Sequence, residues 1–382
     1  MRPATRPVRL VASVLFVAAV LTGCAGSDSP APVAGAPAGA APSPSPTPAP
    51  AAPTPPPASP PAAPPSPPPA TPPAVPPAMP PAAPPAGVLP APVPTVPSGM
   101  ATAWSDPALW GGVLPGADAS VVIPAGRTVL LDTSTRIRNL TIEGTLLVAE
   151  RDLRLEADWM LVRDRGRLQA GTPSAPRRSR FELVLTEGDR SENAAGMGTK
   201  FFGAMAGVVE LHGARKTRWT RLDGTAAPGA SSIDVLDATG WQIGDRIAIA
   251  PTDFDPDERE VRSVTAIAGR RLTLDSPLQH QHWGRIQTLG STGEVMDQRA
   301  PVANLSSNIV IRGSTPSDAK FGGHVMFMGG AVTQLSHIEI TQMGQRGGLG
   351  RYPIHWHLNG DSPHSYLADS AVHSNFQRGI VV

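Results

Sequence analysis

Leu140-Thr141-Ile142, Thr145-Leu146-Leu147-Val148, Leu153-Arg154-Leu155, Met160-Leu161-Val162 and Phe181-Glu182-Leu183-Val184-Leu185 succeed one another with no helical period among them. Short apolar segments of this kind, broken by turn residues, predict strands. Upstream, Val121-Val122-Ile123 and Val129-Leu130-Leu131 continue the pattern. Gly116, Gly126, Gly144, Gly166 and Gly171 fall at the breaks, where a residue without Cβ takes a tight turn or a positive φ without a clash. An all-β unit is expected from residue 104 onward.

Downstream the texture stays β. Ser232-Ile233-Asp234-Val235-Leu236, Arg246-Ile247-Ala248-Ile249, Glu260-Val261-Arg262-Ser263-Val264 and Arg271-Leu272-Thr273-Leu274 predict a small barrel-like insertion over 225–290. Its Asp253-Phe254-Asp255-Pro256-Asp257-Glu258 loop has oxygen ligands that suit a hard cation. It lacks the glycine and closing glutamate of an EF-hand, so an acidic turn is the preferred reading. Beyond it, Leu305, Leu335 and Leu367 open three similar segments, each running into alternating residues at Ile309-Val310-Ile311, Ile338-Glu339-Ile340 and Ala371-Val372-His373. A repeat of this length with strand character predicts coils of a parallel β-helix over 291–382.

Six of the nine histidines lie in the last 59 residues, and the most informative stretch is Tyr352-Pro353-Ile354-His355-Trp356-His357-Leu358-Asn359-Gly360-Asp361. On a strand, Ile354, Trp356 and Leu358 share one face while His355 and His357 share the other. Burying the apolar face turns both imidazoles outward. Such a pair suits proton transfer near neutral pH, and with further ligands it suits a divalent metal. For an acid/base reaction on a glycan, His355, His357 and His373 are the candidate proton carriers and Asp361 the candidate carboxylate. Arg351 is the candidate partner for substrate anions. A second basic group, Arg215, Lys216, Arg218 and Arg221 around Trp219, reads either as a clamp for carboxylates or as a solvated strand face. Arg177, Arg178 and Arg180 read as loop solubility.

The composition divides the chain. Of 46 prolines, 31 lie between Pro30 and Pro97, and no Asp, Glu, Lys or Arg occurs from Ser29 to Ser105. That Ala/Pro tract, 24–103, has no side chains for a core and reads as a disordered, extended spacer. Before it, Arg2, Arg6 and Arg9 precede an apolar run from Leu10 to Leu21, a secretory leader over 1–23 rather than a membrane span. Cys24 is the only cysteine, which excludes an intrachain disulfide. Formal net charge is +1, and −2 without the three leader arginines. Nucleic-acid binding driven by bulk charge is therefore not expected.

Two resemblances follow. Leu21-Thr22-Gly23-Cys24 resembles the bacterial lipoprotein box, which implies lipidation of Cys24 and a membrane anchor; Ala25 in place of an aspartate implies the outer membrane. The ordered motifs Trp104-Ser105-Asp106-Pro107-x-x-Trp110, Leu114-Pro115-Gly116, Ile123-Pro124-x-Gly126, Ile142-Glu143-Gly144-Thr145-Leu146, Gly166-x-Leu168 and Leu211-His212-Gly213 resemble the G-eight domain. That module, here 104–224, occurs in the CEMIP family of cell-surface hyaluronidases and in fibrocystin. The Tyr352–Asp361 stretch, followed by Ser370-Ala371-Val372-His373-Ser374, resembles the same family. The resemblance implies a G-eight β module followed by the first coils of a right-handed parallel β-helix, with hyaluronan or another acidic polysaccharide as ligand. It leaves open an endo-acting hydrolase or lyase, a non-catalytic binding or adhesion module, and a truncated product, since relatives continue past the strand-like end at Val382.

Overall fold

The computed structural model describes residues 101–314 and 320–382; the leader, Cys24 and the Ala/Pro tract lie outside the described residues. The described chain winds into a parallel β-helix with three walls. Sheet I stacks seven strands in the order Thr102–Ala103, Thr128–Leu131, Thr145–Val148, Arg167–Ala170, Val208–His212, Val332–Ser336 and Tyr366–Ala368. Sheet II stacks seven: Ser120–Ile123, Asn139–Ile142, Trp159–Arg163, Phe201–Met205, His324–Met328, Ile354–Trp356 and Ile380–Val381. Sheet III has six, from Thr135–Arg136 through Leu153–Ala157, Phe181–Leu185, Ile309–Gly313 and Ile338–Thr341 to Ala371–His373.

The alternation read from the sequence explains each wall. In Leu153–Ala157, positions 153, 155 and 157 are buried while Arg154 is exposed, because successive side chains leave a strand on opposite faces. Inward residues stack from rung to rung: Leu168 sits over Val209, and Leu335 over Leu367. One continuous core runs from Trp104 to Val372. The coils of the first module and those near the end share this core, so the β module runs on into the later coils of the expected parallel β-helix. Gly144 and Gly166 are needed at corners because a Cβ there would strike the backbone carbonyls of Arg127 and Ile142 in the preceding coil. Their φ is not positive, unlike that of Gly126 and Gly171; close approach of the neighbouring coil is the constraint.

Between sheet I and sheet III most coils turn through a short corner; Ser336 and Ile338 are separated by His337 alone. After His212 the corner is instead replaced by an antiparallel module. Its six strands run Trp219–Arg221, Pro301–Asn304, Arg246–Ile249, Glu260–Ala268, Arg271–Leu274 and Ser232–Asp234, with a core built on Leu222, Val235, Ile247, Ile249, Val264 and Leu272. The insert thus extends beyond the expected 225–290 on both sides, since its first strand pairs with its last. Leu305 falls at its end and is not a rung partner of Leu335, whereas Ile309, Ile338 and Ser370 begin successive sheet III coils.

Candidate functional site

The outer face of sheet II carries the histidine stretch. Ile354 is fully buried in the coil, and Trp356 turns inward, its indole N–H donating to Thr333 Oγ1 at 3.0 Å. His355 and His357 consequently face out, with ring centroids 5.1 Å apart in an edge-on arrangement. Leu358 does not join the inward row. The strand ends at Trp356, and Leu358 adopts φ +45° and is 86% exposed. Nor is His355 open to water: it is 7% exposed, with Nδ1 3.3 Å from the Gly350 carbonyl and its ring 5.1 Å from that of Tyr352. The 344–352 loop folds back over the sheet, held by Gln345 N–H donating to Arg351 O at 2.9 Å and by Gln345 Nε2 donating to Thr199 O at 3.3 Å. Burial lowers the His355 pKa; the bond to Gly350 opposes this, and the His357 ring adds to it. The result is a neutral imidazole at neutral pH.

On the preceding rung lies His324, fully buried, whose Nε2 is 3.1 Å from Met197 O and 3.1 Å from Arg351 Nη1. One ring nitrogen cannot both donate to the carbonyl and accept from the guanidinium, so the two contacts belong to alternative tautomers. Burial, then Arg351, pushes its pKa down to about 3. Arg351 is seated against Gly198, where a Cβ would come within 2.6 Å of Nη1. Around these groups Trp159 stacks on Phe201 at 5.7 Å, and Leu161, Met197 and Met326 complete an apolar cluster outside the coil. The arrangement is three imidazoles and one guanidinium against an apolar bed. It can accept a proton and face an anion. Among the described residues no three His, Cys, Asp or Glu side chains converge on a metal-binding position. His355 and His357 would supply two ligands where zinc takes three or four from protein.

The other expected residues lie elsewhere. His373 sits on sheet III, between Glu339 Oε1 at 3.2 Å and Ser374 Oγ at 3.1 Å, because the chain turns two corners, through the sheet I strand Tyr366–Ala368, between the two histidine strands. Asp361 is exposed in the connection after sheet II. The basic group is bonded to neighbouring protein within the insert and at its junction with the coil, and of its four cations Arg215 is the exposed one. Lys216 Nζ contacts both Asp245 carboxylate oxygens at 2.9 Å. Arg218 donates to Ser306 O at 2.8 Å and Ser307 Oγ at 2.7 Å, and burial lowers its pKa to about 10. Arg221 donates to Arg299 O at 3.0 Å, and Arg215 to Pro173 O at 2.8 Å. Arg177 is not a solubility residue: it is fully buried and donates to the carbonyls of Val148, Ala149, Arg151 and Ser179.

A further group escaped the sequence reading. On the outer face of sheet I, Gln169, Glu210, Gln334 and Tyr366 occupy successive rungs. Glu210 is fully buried and paired with Arg167 Nη1 at 3.1 Å, yet burial outweighs that guanidinium and raises its pKa to about 7. Beside it, His212 Nδ1 meets Ser336 Oγ at 2.9 Å; burial, then His337, lowers the His212 pKa to about 4. The alternation in Val208-Val209-Glu210-Leu211-His212 was the available signal, by the same logic that turned His355 outward.

Two family models match the chain: the G8 domain over residues 109–223 and the CEMIP beta-helix over 320–382. Mouse fibrocystin-L is 34% identical over 330 residues, covering 74% of this chain and 8% of its own. Human fibrocystin-L is 34% identical, with 73% and 8% covered. A G8 domain-containing protein of Dictyostelium discoideum is 29% identical, with 72% and 25% covered. The chain thus spans a small part of each of these relatives. Among solved structures, the Gp54 tailspike of Acinetobacter baumannii bacteriophage AP22 overlaps 54% of this chain and 34% of its own at 14% identity, with a TM-score of 0.21, too slight an overlap to argue from. The two family matches fall on the two parts of one continuous coil on either side of the insert, and the chain accordingly carries a G8 domain and a CEMIP-type β-helix segment.

Proposed function

We propose that this protein is exported, tethered to the cell envelope through a lipid on Cys24, most plainly at the outer membrane, and that its β-helix acts outside the membrane on an acidic polysaccharide of the hyaluronan type. The observation that supports the reading is the pairing of His355 with His357 on the outer face of a coil, with Arg351 bonded to His324 on the preceding rung of the same face. A neutral imidazole can take the proton beside a uronate carboxylate, and a guanidinium can hold that carboxylate. Among the described residues no pair of carboxylates flanks these imidazoles, and hydrolysis by two carboxyl groups needs one. Elimination is therefore the favoured reaction: an imidazole takes the C5 proton, the C4–C5 double bond forms as the C4–O bond to the leaving sugar breaks, and the imidazolium so formed returns the proton to the departing oxygen. A non-catalytic binding role is the second reading, favoured by the cover that Gly350 and Tyr352 place over His355.

Incubation with hyaluronan and other uronate polymers separates the two. Shortening of the polymer with new unsaturated ends supports elimination. Retention on immobilised polymer without shortening supports the binder. Neither retention nor shortening with any uronate polymer contradicts the reading.

A further inference from the structure

The insert carries a cleft that neither family match reaches. Asp253 follows the strand Arg246–Ile249, Glu258 closes a short turn of 3₁₀ helix, Gln281 and Trp283 lie in the connection after Leu274, and Gln287 and Gln298 come from the hairpin Ile286–Leu289/Glu294–Asp297 and its exit. Together they line an open cavity of about 210 Å³. Trp283 is tied in place at both N–H groups: its backbone N–H donates to Thr252 Oγ1 at 2.9 Å, and its indole N–H to Arg285 O at 2.6 Å. Its ring therefore contributes only apolar surface to the cavity.

The side-chain amides of Gln281, Gln287 and Gln298 make no hydrogen bond to protein among the described residues. Each brings two donors and one acceptor to the same space. No Lys or Arg lines the cavity, and two carboxylates do. That combination disfavours phosphate or carboxylate ligands and suits a ring with an apolar face and a hydroxyl-bearing edge. The volume is below the ~300–1,000 Å³ of pockets for drug-sized ligands, so one ring fits better than an oligomer.

We propose that this cleft binds a single neutral sugar residue, with the ring against Trp283 and the hydroxyls on Gln281, Gln287 and Gln298. Asp253 and Glu258 select against uronates. The cleft is separate from the sheet II histidines and does not depend on their reading.

The test uses the full chain with methyl N-acetylglucosaminide, methyl glucoside and glucuronate as probes, followed by ligand-observed NMR. Saturable binding of a neutral sugar is expected at millimolar concentration, with glucuronate weaker by about tenfold or more. Trp283→Ala should weaken binding about tenfold, and Gln298→Ala severalfold. Trp283→Phe should keep most of it, which separates lost contact from lost fold. His355→Ala with His357→Ala should leave it unchanged, so failure here is distinguishable from failure of the polymer reaction. Absence of saturable binding by either neutral sugar, equal binding of glucuronate, or indifference to both Trp283→Ala and Gln298→Ala would overturn the proposal.

Discussion

Sheets I and II turn outward faces built on the same period-two alternation, yet they differ in how the outward groups are partnered. On sheet II the rungs are largely apolar, and Trp159, Phe201 and Met326 pack on one another; the imidazoles find carbonyls, rings or a guanidinium, and His324 Nδ1 has no partner among the described residues. On sheet I the rungs are polar. Gln169 Nε2, Glu210 Oε1, His212 Nε2 and Tyr366 Oη are buried without a hydrogen-bond partner among the described residues. Because strands stack ~4.8 Å apart in register, each rung multiplies the character of the one below. An apolar stack satisfies itself; a polar stack needs donors and acceptors matched rung by rung. Substitutions on sheet I should therefore stabilise where those on sheet II destabilise.

Glu210→Gln gives the largest expected effect. The folded state holds the Glu210 proton up to about pH 7, while the unfolded chain releases it near the usual glutamate value of 4.5. The native state thus binds more protons in that window, and this group's contribution to stability falls as pH rises from about 4.5 to 7 and stays low above. The amide removes that loss, so Glu210→Gln should be about 3 kcal/mol more stable than the parent at pH 8, with the advantage gone at pH 4. His212 titrates in the opposite sense: its depressed pKa makes stability rise between about pH 4 and 6.5. The difference between variant and parent in urea unfolding, not the parent curve alone, is the readout. A pH-independent difference would break the comparison.

Gly198→Ala tests sheet II. Gly198 has φ +82°, and its Cβ would meet the Arg351 guanidinium. Left-handed strain and displacement of Arg351 from His324 should together destabilise by about 2 kcal/mol, read as a lower urea midpoint. An unchanged midpoint would show that the guanidinium seat contributes nothing. Tyr366→Phe is the smallest effect. It removes a buried hydroxyl with no partner among the described residues and should be neutral to about 1 kcal/mol stabilising; a clear loss would mean that the hydroxyl is satisfied.

Local alternation was legible in the sequence, and long-range register was not. Val129, Leu146 and Leu168 could be placed inward from their neighbours alone. Leu335 and Leu367 were correctly matched because their coil has no insertion. Leu305 was matched wrongly because the insert interrupts the period just before it. The insert's limits were underestimated because Trp219–Arg221 finds its partner at Pro301–Asn304, across a gap that local pattern does not span. For the histidines, period two gave the direction of His355 but not the 344–352 loop over it, and not the corners that carry His373 to another wall. Glu210 was equally readable as an outward residue. What made it notable, a buried rung between Gln169 and Gln334, exists only once the coils are stacked.

The most direct test compares the two faces in one assay: the chain length of hyaluronan or another uronate polymer during incubation with the parent, with His355→Ala/His357→Ala, and with Glu210→Gln. Loss of an acid/base pair typically lowers a rate by ~10²–10⁴-fold, so the double histidine variant should leave the polymer at full length while Glu210→Gln shortens it as the parent does. Retained shortening without the two imidazoles, or its loss with Glu210→Gln alone, would contradict the assignment of the chemistry to sheet II.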